Sequence, residues 1–146
     1  MELLTPALRA ALRANALASA GAGHDPVPVL KLFNPMSAAT WLATELDADG
    51  DTLFGLADLG FGFPELGSFS LSEIAAIRLR YGLRIERDLG FTTHVPLSVW
   101  ADTARQAGSV LWAAQLLRDE ECARRATDAA ALPPSDELPP SGSEDG

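Results

Sequence analysis

Cysteine and lysine are almost absent from this chain of 146 residues: Cys122 and Lys31 are the only ones of their kind. A lone thiol excludes a disulfide framework within the chain and fits a reducing compartment. Histidine is scarce too. His24 and His94 are far from each other and from Cys122, with none of the spacing that a zinc site needs. No metal and no cofactor is expected. No run approaches the roughly 18 apolar residues of a membrane span. The alanine-rich start has Glu2, Arg9, Arg13 and Asn15 where a signal peptide would be basic and then apolar. A cytoplasmic location is therefore expected. Arginine outnumbers lysine ten to one and alanine, glycine and proline are abundant. Their codons are GC-rich, which points to a high-GC bacterium.

Acid dominates what is present, with a net charge of −9. Residues 1–118 carry nine basic and twelve acidic side chains, whereas residues 119–146 carry two and eight. Such a chain repels phosphate backbones at long range, so nucleic acid is a disfavoured partner unless a basic patch acts locally. Hydrophobic residues make up 47% of the chain, an ordinary share for one globular domain followed by a polar tail.

Thr5-Pro6 is a helix start, with an apolar stripe of Leu4, Leu8 and Leu12. Strands are expected over 27–33, 40–46 and 52–61, the last two joined by the turn Asp47–Asp51. Apolar residues on both faces of 52–61 place that strand centrally, with Asp58 as its polar exception and Phe61 on the same face as Leu53, Ala57 and Leu59. A short strand near Ser68–Leu71 leads into a capping box, Ser70 with Glu73. That helix is expected to bury Ile74, Ile77 and Tyr81 and to stop at Gly82. A strand over 83–91, a helix from Pro96 and a last helix over 109–131 follow. The fold class is α+β, an antiparallel or mixed sheet of four to five strands with helices packed on it. The expected division is a domain over 1–108, a helical extension over 109–131 and a disordered acidic tail over 132–146.

Three constellations bear on chemistry. Asp47, Asp49 and Asp51 have the spacing of the start of a calcium loop. Position six is Thr52 instead of glycine and position twelve is Asp58 instead of glutamate, so a hairpin turn is the better reading. His24, Asp25, Asp58, Glu65, Glu86 and Asp88 are candidate polar site residues, since paired carboxylates in unlike environments can do acid–base work. Arg78, Arg80, Arg84 and Arg87 form the one basic concentration, with Tyr81 among them, and could bind anions. No catalytic residue is assigned.

The segments HDPVPVLKLFNP (24–35), AATWLATELD (38–47), FGLADLGFGFPELGSFSLSEI (54–74) and ERDLGF (86–91) resemble the bacterial domain-of-unknown-function family 2958, over about residues 2–108. The likeness is carried by Asp25, Lys31, Phe33, Trp41, Glu45, Asp58, Pro64, Glu65, Gly67 and Glu86-Arg87-Asp88, among others. The resemblance implies a gene on plasmids or integrative elements and assigns no catalytic residue. The expected function is a non-enzymatic accessory protein of such an element, acting by protein binding. The alternatives are a small hydrolase-like enzyme using carboxylates around Asp58 and Glu65, and a nucleic-acid module using Arg78 to Arg87.

Overall fold

In a computed structural model that describes residues 2–19 and 23–131, the first helix, α1 (Pro6–Ala18), begins where its sequence says. The Thr5 hydroxyl accepts a hydrogen bond from the Leu8 amide at 3.1 Å, and Pro6 occupies a first-turn position that needs no amide donor. Five strands follow: β1 (Leu30–Phe33), β2 (Thr40–Leu46), β3 (Thr52–Asp58), β4 (Glu65–Ser70) and β5 (Glu86–Arg87). They form one sheet in the order β4-β3-β2-β1-β5, with every neighbouring pair antiparallel. Helices α2 (Leu71–Ala76), α3 (Leu97–Ala107) and α4 (Val110–Ala131) complete an α+β fold.

Alternation along the strands separates two apolar faces. Leu30 and Leu32 of β1, Trp41 and Ala43 of β2 and Leu53 of β3 pack with Leu3, Leu4, Leu12, Ile74 and Ile85. Each fully buried leucine stabilises the fold by about 2 kcal/mol. The opposite face carries Leu42, Leu56 and Asp58. On this side α3 buries Leu97, Trp100, Ala101 and Ala104, and the start of α4 buries Val110 and Ala113. The sheet is thus covered on both sides at β2 and β3, which explains why those strands lack simple polar–apolar alternation.

The register between β2 and β3 slips by one residue at Thr44, between Ala43 and Glu45. This bulge is fastened from two sides: the Thr44 hydroxyl donates to the Phe54 carbonyl at 3.3 Å, and the Asn15 amide of α1 donates to the Thr44 carbonyl at 2.9 Å. Arg13 of α1 reaches the Leu46 carbonyl at 2.7 Å. The bulge lets Glu45 join Phe54 on one face while Leu46 returns to the core with Leu53.

Four expectations need correction. The first strand begins at Leu30, because Pro26 and Pro28 have no amide to give a ladder. The strand expected over 52–61 ends at Asp58, and Phe61 is 78% exposed in the following loop. Helix α2 ends at Ala76, so Tyr81 lies outside it and is 85% exposed. The strand expected over 83–91 shortens to Glu86–Arg87.

The described residues divide into two units, one up to residue 114 and one from residue 115 onward. In the second unit Glu121 accepts from Arg124 and Arg125 one turn on, which holds its carboxyl below its ordinary value. The expected acidic tail, 132–146, lies outside the described residues. No helix among the described residues is long and apolar enough to cross a membrane.

Candidate functional site

Most carboxylates that invite a catalytic reading hold the backbone together. Asp58 is fully buried, and its two oxygens accept from the Gly60 and Val110 amides, each at 2.8 Å. It therefore closes the bend after β3 and satisfies a first-turn amide of α4, where a negative charge also meets the positive end of the helix dipole. Asp25 does the same for α3: one oxygen accepts from the Ser98 amide at 3.1 Å and the other from the Ser98 hydroxyl.

The Asp47–Asp51 segment is a hairpin turn. Asp49 accepts from the Thr52 hydroxyl at 2.6 Å and from the Thr52 and Asp51 amides at 2.8 Å. These bonds, the hydroxyl's first, hold the Asp49 carboxyl down from 3.8 to about 2. Asp51 accepts from the Ser70 hydroxyl and the Ser72 amide, and its carboxyl is also lowered. A carboxyl with a depressed folded-state pKa stabilises the fold above its ordinary value, and the benefit disappears as pH falls through the folded value. For Asp49 that window runs from 3.8 down to about 2. We expect Asp49→Ala to melt lower at neutral pH and to lose less stability than wild type across this window. Thermal melts at stepped acid pH check it.

The other candidates are dispersed. Glu65 stands opposite Ala57, so it projects from the face of the sheet opposite to that of Asp58, the next residue along. Asp58 and Glu65 therefore do not meet. His24 has a buried Nε2 with no hydrogen-bond partner among the described residues, and His94 is exposed. Arg84 donates to the Ala75 carbonyl at 2.9 Å and Arg87 to the Glu2 carbonyl at 2.8 Å. Among the described residues, no three His, Cys, Asp or Glu side chains are grouped as metal ligands.

Glu86 and Asp88 do come together, in a cleft of about 420 Å³ beside β1 and β5. Glu86 pairs with Phe33 across the two strands, and the Asp88 amide donates to the Lys31 carbonyl at 3.0 Å, so both carboxylates share a face with Lys31 and Phe33. The Lys31 ammonium sits 3.5 Å from Asp88. Phe33, Leu89 and Leu111 give the walls apolar character, and Asn34, Ser37 and Thr40 close the end. Arg87 also lines the cleft, but its guanidinium is engaged by the Glu2 carbonyl, so two carboxylates face the Lys31 ammonium and the cleft suits a cationic group with an apolar stem.

The cleft opens next to a surface that sequence patterning missed. The 34–39 and 59–64 loops and the start of α4 meet at one end of the sheet. Asp58 ties the second loop to Val110, Gly60 lies against Ala38 and Ala39, and the cleft joins Leu111 to Asn34 and Ser37. Large apolar side chains face outward there: Leu59 is 56% exposed, Phe61 78%, Phe63 80% and Trp112 64%. Gly60 and Gly62 take positive φ, 92° and 91°, and so turn the backbone between these residues. The run Gly60-Phe61-Gly62-Phe63 was the available signal, since glycine on either side of an aromatic breaks any strand that could bury it.

The profile of the family described as "Protein of unknown function (DUF2958)" matches residues 3–111, and the chain belongs to that family. No curated protein and no solved structure matches it.

Proposed function

Taking that membership as the premise, we propose that the chain is a non-enzymatic accessory protein, carried by a bacterial plasmid or integrative element and acting in the cytoplasm by binding another protein. The observation that carries this reading is the apolar end. Exposed Phe61, Phe63 and Trp112 in one surface are unusual on a protein that works alone, whereas aromatics are the side chains that dominate binding energy at interfaces. The adjoining cleft supplies an anchor point, and its Glu86 and Asp88 favour a lysine or arginine. The partner is thus a protein with an apolar patch flanked by basic side chains, and the net charge of −9 steers it inward.

The hydrolase reading has less support. One of its two central carboxylates is bonded to backbone amides, and the other stands on the opposite face.

Affinity purification of the tagged chain from its host tests the proposal, with wild type and Phe61→Ser/Phe63→Ser compared by mass spectrometry. Both substitutions lie in an exposed loop, so the melting temperature is expected to stay within a degree or two. A stoichiometric partner is expected with wild type and is expected to bind the variant at least about 30-fold more weakly. Equal recovery with both would remove the apolar end from the interaction.

A further inference from the structure

We infer that the 77–85 hairpin is a contact site for single-stranded nucleic acid. It uses a surface distinct from the aromatic residues proposed to bind protein. The hairpin is closed by the Arg78–Arg84 bridge and by a hydrogen bond of 2.9 Å from the Leu79 amide to the Leu83 carbonyl. Its tip is Tyr81, the one described non-glycine residue with positive φ, at φ 62° and ψ 26°. A bulky side chain is disfavoured there, and glycine or asparagine would serve the turn better. The ring is 85% exposed, so burial does not compensate the backbone. An aromatic ring held in solvent at the strained tip of a turn points to a contact made outside the chain.

The guanidiniums around it indicate what is contacted. Directly opposed side chains on a two-stranded ladder lie close, so Arg78 and Arg84 set two like charges side by side, and Arg80 adds a third. Among the described residues none of the three forms an ion pair with a carboxylate. The Ala75 carbonyl, at the end of α2, fixes the Arg84 guanidinium in place. A bound anion would relieve the repulsion, and arginine's planar fork suits phosphate in particular.

An open cleft of about 610 Å³ flanks the hairpin, with Leu3, Leu83 and Ile85 on its floor and Arg84 at its rim. The cleft is open and roomy enough to admit a nucleobase against its apolar floor, while the phosphate stays with the arginines. Unstacked bases present faces to an exposed tyrosine, whereas a duplex hides them. An acidic peptide would satisfy the arginines but leave Tyr81 and the apolar floor without a role. The chain's net negative charge makes the contact short-ranged and dependent on low salt.

Fluorescence anisotropy of the full chain with dye-labelled oligothymidine at low ionic strength tests this inference. Wild type is expected to bind the single strand more tightly than a duplex of the same length. The slope of log K against log salt is expected near −2, about 0.7 for each of three arginines. Tyr81→Phe is expected to keep the affinity and Tyr81→Ala to lose about fivefold or more. Tyr81→Gly separates function from structure: it removes the ring and relieves the backbone, so binding falls while the melting temperature holds or rises. No binding by wild type would overturn the site. So would equal binding of the duplex, full affinity in Tyr81→Gly, or its melting several degrees lower. Polyglutamate competing as well as oligothymidine would also overturn it and reassign the hairpin to an acidic protein.

Discussion

Replacing Asp58 with alanine is expected to lower the folding stability by about 3–5 kcal/mol, a large part of what holds a domain of this size together. Asp58 is 0% exposed and accepts two amide hydrogen bonds. Alanine would leave both donors unpaired at a buried position and withdraw a negative charge from the start of α4. The Asp58→Asn variant is expected to fare little better. Both partners are donors, so only the carbonyl of the new amide could serve one, and its NH2 would face the other. Chemical denaturation of wild type, Asp58→Ala and Asp58→Asn measures the effect. A loss below about 1 kcal/mol in the alanine variant would show that the strand-to-helix tie is dispensable.

Gly55→Ala is expected to cost about 3 kcal/mol or more, for a steric reason. A Cβ at Gly55 would lie 1.8 Å from the Leu42 carbonyl oxygen and 2.8 Å from the Ala43 Cα. Both obstacles are backbone atoms of a central strand, so no side-chain rotation relieves the clash. Gly55 stands opposite Ala43, where the register slips at Thr44, and the methyl would push β2 and β3 apart at the bulge that Asn15 also fastens. The variant is expected to be poorly soluble or to unfold well below wild type. Wild-type-like melting would mean that the bulge can relax.

Local chemistry made several parts of the fold readable from sequence. Thr5-Pro6 and Ser70 with Glu73 mark helix starts within a few residues, and their hydroxyls do accept the expected amides. The apolar run at 40–46 declared a strand, and the one at 52–61 a central strand covered on both faces, though it ends at Asp58. What eluded the sequence depends on distant residues or on a contest between patterns. Asp58 was recognisable as buried, but its partner Val110 lies 52 residues on. Phe61 continues the alternation of β3 and so reads as core, until Gly60 and Gly62 bend it outward. Tyr81 follows Ile74 and Ile77 at helical spacing, but the helix stops at Ala76 and the chain turns back on itself. The Glu86–Asp88 cleft was half legible: alternation put both carboxylates on one face, but nothing local paired that face with Lys31 or roofed it with Leu111.

The central claim, that the apolar end binds a partner protein, is tested most directly by hydrogen–deuterium exchange of the chain free and in complex with the purified partner. Slowed exchange is expected in the 34–39 and 59–64 loops and in the first turn of α4, together with the Glu86–Leu89 rim of the cleft. Unchanged exchange in those segments, with protection elsewhere on the chain, would contradict it.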